Sequence, residues 1–413
     1  MIFLFRAGTR GKLALALFPL FWIGRLCSQD GEGPAPSITL SGWERPGELL
    51  RCQPGPWGDL EYYYTYLEAP DLVIELINAP SQRTVWRFPG MTREKVKSLF
   101  EKAGISQDDQ NRLLKHPSPS DPENEVRVFP DPEFVFHLSP LSRSTIYAVL
   151  RRWNENPFYR TPAIIETGSV KEWFSNSGLS EETISKIEKL TYPIGKSLAF
   201  SDVPLLLQDL TSDKEQRAIL GSLTRTRTII LRLRLSGNSD PDVLKDYWTA
   251  GGRYRDTLPM LQSILGTGGL EKIDVSHLLP PTPRKFLYTF PTLSSGMDGT
   301  FPDSFSAALN FFEYTSKVWP APAKHFEKYI QSNCDRVDPP FRFGDMILLK
   351  NSKSGRPIQA CVYIADGIAY SKTGKSIMCP WIFAKLSNLV ARYQGAEEVV
   401  IEGFRHKIQV GTD

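Results

Sequence analysis

The polar and apolar positions of this chain change period along its length. In TRTRTIILRLRL (224–235) they alternate: Ile229, Leu231, Leu233 and Leu235 share one face, and Arg232 and Arg234 point the other way. Period two predicts a strand, because successive strand side chains face opposite sides of a sheet. Its arginines suit either a solvated face on an outer strand or a phosphate contact. Two earlier segments read as helices. VKSLFEKAGISQDDQNRLL (96–114) and VKEWFSNSGLSEETISKIEKL (170–190) share the layout Val-Lys-x-x-Phe-x-x-x-Gly-[Ile/Leu]-Ser. Each predicts a helix stopped by glycine (Gly104, Gly178) and a second helix capped by serine (Ser106, Ser180). Asp108 and Asp109, or Glu181 and Glu182, fill the second helix's first turn, where the helix dipole favours carboxylates.

The likeness continues downstream. FPDPEFVFHLSPLSRSTIYAVL (129–150) and FSDVPLLLQDLTSDKEQRAIL (200–220) each predict an extended stretch followed by a helix. The expectation is two copies of a unit of roughly 70 residues; the alternative is helix-turn-helix punctuation common to many chains. The acidic starts of the second helices speak against a DNA-reading role. EYYYTYLEAPDLVIELI (61–77) predicts a strand from its aromatic and β-branched residues. VLKDYWTAG (243–251) and TLPMLQSILG (257–266) predict helices, and Pro280–Pro281 predicts a helix end and a boundary near 280–295.

Length and composition turn these elements into a layout. At 413 residues the chain is long for one core, so several domains are expected. The fold class is α+β, in six segments: a signal peptide (1–28), an exposed lead-in rich in Gly, Pro and Ser (29–58), α+β units at 59–165 and 166–236, a helical connector (237–290) and a C-terminal domain (291–413). The signal peptide rests on Arg6, Arg10 and Lys12 followed by the apolar run LALALFPLFWIG. That run is shorter than the roughly 20 residues a membrane-spanning helix needs, and it suits a signal h-region. Export to the periplasm, cell envelope or medium is expected, with no transmembrane span after cleavage. A net charge of +3 gives no global reason for a nucleic-acid partner. Beyond Cys27, Cys52, Cys334, Cys361 and Cys379 match no zinc spacing and make no disulfide framework, so structural thiols are the default.

Most chemical motifs fail. Gly195-Lys196-Ser197 and Gly374-Lys375-Ser376 have Leu190 and Ala369 where a phosphate loop needs its first glycine. The five histidines (116, 137, 277, 325, 406) are scattered, so no metal site is expected. No nucleophile elbow and no cofactor motif occur.

The C-terminal third differs. Asp303-Ser304-Phe305-Ser306-Ala307-Ala308-Leu309 opens a helix, Gly344-Asp345-Met346-Ile347-Leu348 turns into a strand, and a second strand runs from Gln359-Ala360-Cys361-Val362-Tyr363-Ile364 to an Asp366–Gly367 turn. This order resembles the NlpC-like cell-wall peptidases over roughly residues 291–410, with Leu287-Tyr288-Thr289-Phe290-Pro291 and Cys379-Pro380-Trp381 similar to a secreted bacterial subset. The resemblance implies a papain-like fold of a helix plus an antiparallel sheet. It implies a cysteine nucleophile at the helix start and a histidine base on the strand. Here Ser304 and Gln359 stand at those positions, and the third polar residue falls near Ala369 or Tyr370. A serine without a base lacks the activation of a thiolate beside imidazole, and a glutamine amide takes up no proton near neutrality.

The sequence therefore predicts a degenerate, non-catalytic domain. Ser304, Gln359 and Cys361 become candidate hydrogen-bonders, and Tyr370 and Trp381 candidate walls of a groove. The resemblance implies peptidoglycan peptide or an envelope protein as partner. Two alternatives stay open. One is an active amide hydrolase using Ser304 or Cys361, which shares the strand face of Gln359. The other is an interaction module built from the repeat in 59–236.

Overall fold

The computed structural model describes residues 43–407 apart from 76–83, 116–123, 161, 195–196, 209, 211, 236–239, 253, 255–256, 268–269, 297–300, 315–320 and 394–397. The signal segment 1–28, His116 and Gly195–Lys196 lie outside the described residues. The chain is α+β, and the strands within its sheets pair antiparallel.

The longest ladder joins segments far apart in sequence. Strand Asp59–Leu67 pairs with strand Thr226–Arg234 along its whole length, flanked by Leu50–Arg51 and Lys272–Asp274. Alternation on both strands explains the match: Tyr62 and Tyr64 lie opposite Leu231 and Ile229 on the buried face. The 224–235 strand is thus interior, not outer. On its polar face Arg234 meets Asp59 at 3.1 Å. Arg225 pairs with Glu68, and Arg227 lies buried 3.7 Å from the Tyr64 ring centre, donating to the Glu44 and Glu166 carbonyls, so neither is a free phosphate ligand. The predicted strand at 61–77 ends at Leu67, and Pro70 leads into a short helix, Asp71–Glu75.

The described residues between the two long strands form an insertion with its own core, centred on Trp86, Phe88, Phe100, Leu150 and Phe200. The inner face of the ladder instead shares a core with the C-terminal third. The cores therefore divide at the ladder and not at 165/166 or 236/237. Loop closure costs grow only logarithmically with length, so a long ladder can outweigh sequence proximity.

Inside the insertion one order of elements recurs. Strand Trp86–Pro89, helices Arg93–Lys102 and Gln107–Leu113, strand Glu125–Val128 and helices Pro132–His137 and Pro140–Leu150 form the first series. Strand Ala163–Ile165, helices Val170–Trp173 and Glu181–Leu190, strand Ser197–Phe200 and helices Val203–Gln208 and Asp213–Leu223 form the second, with Tyr192–Ile194 added. In each series the two corresponding strands pair. Gly104 and Gly178 hold φ of 74° and 77°, the left-handed helix stop that glycine adopts without steric cost. The Ser106 and Ser180 hydroxyls accept from the Asp109 and Thr183 N–H groups at 3.1 and 3.2 Å.

The C-terminal sheet has six strands in the order Cys334–Val337, Val399–His406, Met346–Asn351, Pro357–Ala365, Ile368–Lys372 and Trp381–Lys385. Helix Ser304–Leu309 packs on its Pro357–Ala365 and Ile368–Lys372 strands. Gly344 turns into the sheet at φ 86°, where a Cβ would sit 2.4 Å from Phe312. Asp366 and Gly367, at φ 43° and 71°, make the tight turn after the Pro357–Ala365 strand. The Trp381–Lys385 edge is covered. The Tyr288 N–H donates to the Trp381 carbonyl at 2.8 Å, and the Thr228 hydroxyl bonds both the N–H and the carbonyl of Phe383. A 3₁₀ helix, Val275–Leu278, ends just before the Pro280–Pro281 pair, and Pro281 then begins another helix, Pro281–Phe286, where a missing N–H costs nothing.

Candidate functional site

Asp303 is extended, and its carboxylate accepts from the Ser306 N–H at 2.9 Å, which makes Ser304 the first residue of its helix. Burial raises the Asp303 carboxyl above its ordinary pKa against the Ser306 N–H, which lowers it. Ser304 is 7% exposed, and its hydroxyl oxygen accepts from the Ala360 N–H at 3.3 Å. No histidine hydrogen-bonds to it among the described residues. His406, for one, meets the Phe312 and Tyr329 rings edge-to-face.

Strand alternation separates Gln359 and Cys361 from Ser304. Ala360 and Val362 face the helix side, whereas Cys361 and Tyr363 belong to the core on the opposite side of the sheet. Gln359 shares that opposite side. Its amide donates to the Ser371 hydroxyl at 3.0 Å, and its carbonyl oxygen accepts from the Tyr393 hydroxyl at 2.9 Å, just past helix Leu386–Ala391. Contrary to what the shared strand face of Gln359 and Cys361 suggests, Cys361 does not approach Ser304, since the sheet lies between them. Burial pushes the Cys361 thiol up to about 12, which keeps it protonated and unreactive at neutral pH. Cys52, Cys334 and Cys379 are free thiols as well.

Tyr370 and Trp381 are each 1% exposed. Tyr370 packs between Phe311 and Phe383, and Trp381 lies 4.8 Å from the Phe286 ring. They fill the core and line no open groove. Ser304, Gln359, Cys361, Tyr370 and Trp381 are thus near one another along the sheet, but they do not converge on one accessible space.

Lys372 was missed. It is fully buried on the same face as Tyr370, and Ile368-Ala369-Tyr370-Ser371-Lys372 carried the signal: a lysine in phase with core positions. Its ammonium donates to the Gly374 and Ser376 carbonyls at 2.6 and 3.2 Å and lies 5.4 Å from the Trp381 ring centre. Burial lowers its pKa to about 8. Held by two carbonyls, it makes no hydrogen bond to Ser304.

The second polar centre lies in the insertion. Asp202 is fully buried between the two series of elements. It accepts from the Tyr147 hydroxyl at 2.8 Å and the Tyr159 hydroxyl at 3.3 Å, and the Arg143 guanidinium stands 3.5 Å away. Trp86 donates to the Tyr159 hydroxyl, and Arg143 also donates to the Val135 and Lys189 carbonyls. Burial raises the Asp202 carboxyl to about 6 despite Arg143 and the two hydroxyls, which lower it. Asp202 occupies the place that Asp131, a half-buried N-cap, holds in the first series; nothing in the letters marks which of the two is fully buried.

Comparison with known protein families, with characterised proteins and with solved structures found no match. Among the described residues no group of three or more His, Cys, Asp or Glu side chains is placed to hold a metal ion. No described helix is long and apolar enough to cross a membrane.

Proposed function

We propose that this chain is a non-catalytic binding or scaffolding protein, exported to the bacterial cell envelope, whose C-terminal part is a disarmed relative of the NlpC-like peptidases. The observation that carries the reading is the closed surrounding of Ser304. Its hydroxyl is buried against a backbone N–H, Gln359 is committed to Ser371 and Tyr393, and Cys361 lies across the sheet. A hydroxyl with no base and no access for an acyl group lacks what nucleophilic catalysis needs. The helix packed on central antiparallel strands supports the kinship, and the basic start and apolar run of 1–24 support export. The filled core at Tyr370 and Trp381 shifts the binding role toward the repeat-built insertion, with the C-terminal part as its support.

Incubation of the full chain with peptidoglycan-derived peptides tests this, with Ser304→Ala alongside. No turnover by either protein is expected. Turnover by the native chain that disappears in Ser304→Ala would overturn the reading and make Lys372 the first residue to examine as base.

A further inference from the structure

A cleft of about 840 Å³ lies where the insertion meets the four-stranded sheet. That volume is within the range of small-molecule sites. Its base is a closed charge pair: the Arg225 guanidinium meets Glu68 and also donates to the Trp173 and Ser175 carbonyls, tying the turn after helix Val170–Trp173 to the end of the Asp59–Leu67 strand. Two further charges line the cleft. Arg45 is exposed and Glu172 is half-buried, and the side chains of both lack a hydrogen-bond or ion-pair partner among the described residues. These opposite charges share the cleft without forming an ion pair.

One further feature of the lining is conformational. Asn176, also in the lining, holds a left-handed φ of 58°, an uncommon conformation for a residue other than glycine. A polyanion would meet the Glu68 and Glu172 carboxylates, and an apolar ligand would leave both lone charges unpaired.

We propose that this cleft binds a small zwitterion, a free amino acid or short peptide, with its carboxylate on Arg45 and its ammonium on Glu172. The inference rests on the reading of the chain as a binder, but it concerns a site apart from Ser304. Isothermal titration of the full chain with alanine and with alanyl-alanine, in L and D forms, tests it beside the N-acetylated and C-amidated dipeptides. The free dipeptide or alanine is expected to bind, and blocking either end is expected to weaken binding about tenfold or more, as for loss of one charge-assisted hydrogen bond. Arg45→Ala should abolish the difference between free and amidated dipeptide, and Glu172→Gln the difference between free and acetylated. Blocked and free peptides binding alike, or no heat from any probe at millimolar concentration, would overturn the site. Peptide recovered cleaved would sink the non-catalytic reading while leaving the cleft in place.

Discussion

The insertion and the helix-on-sheet part bury polar groups in opposite ways. At Asp202 a carboxylate, a guanidinium and two tyrosine hydroxyls meet in one closed network between the two series of elements. Around Ser304 the polar groups are dispersed: a serine on a backbone N–H, a glutamine on the far face, a lysine on loop carbonyls. Catalytic sites gather titratable groups around an open space. Here the gathered groups have no open space, and the residues at the motif positions are not gathered. A motif frame locates positions along a chain, but it does not state which way the side chains point.

The sharpest way to break this contrast is to open the Asp202 network. Arg143→Met leaves a buried carboxylate without its counter-charge and should cost about 3–5 kcal/mol, read from the urea unfolding midpoint. Combining it with Asp202→Leu should restore much of the loss. If the single variant unfolds like the native chain, the network is not what joins the two series.

The pH dependence is next in size. The folded pKa of Asp202, at about 6, lies above its ordinary value near 4. Its contribution to stability is therefore fully present below about pH 4 and is lost as pH rises through about 6, on the order of 3 kcal/mol in all. Native stability minus that of Asp202→Asn, followed between pH 4 and 7, should fall over this window. A rise would mean that attraction to Arg143 outweighs burial.

In the C-terminal part the vulnerable features are steric instead. Gly344→Ala adds a Cβ at a positive φ and against the Phe312 ring, and should destabilise by more than about 1 kcal/mol in the same assay. The smallest effect belongs to the motif itself. Ser304→Ala removes one 3.3 Å hydrogen bond and should cost about 1 kcal/mol or less, without changing peptide turnover. Ser304→Cys with Gln359→His should stay silent too, because residue 359 faces away from residue 304. An active double variant would mean that the strand can present its other face to the helix start.

Local grammar was legible. The glycine stops, serine caps, Asp366–Gly367 turn and alternation in 224–235 each depend on a few neighbouring residues, and the structure has them where the letters predict. The α+β class followed from the same signals. The partners of those elements were not legible. Strand Thr226–Arg234 was read with the segment before it, yet its ladder is with Asp59–Leu67 and its cover with the C-terminal core. Burial of Arg227, Asp202 and Lys372 was equally hidden, since each is an ordinary surface residue type made internal by chain segments tens to hundreds of residues away.

Sequence alone determined which residues could turn, cap or alternate, and that residues 304 and 359 are a serine and a glutamine with no acid–base chemistry of their own near neutrality, because those properties are local and chemical. Only the tertiary structure decided that Ser304 is enclosed, that Gln359 and Cys361 lie on the other side of a sheet, and that Arg45 and Glu172 share a cleft. Facing and proximity arise when distant strands pair, and the free energy of that pairing is summed over the whole interface, not written in any one segment.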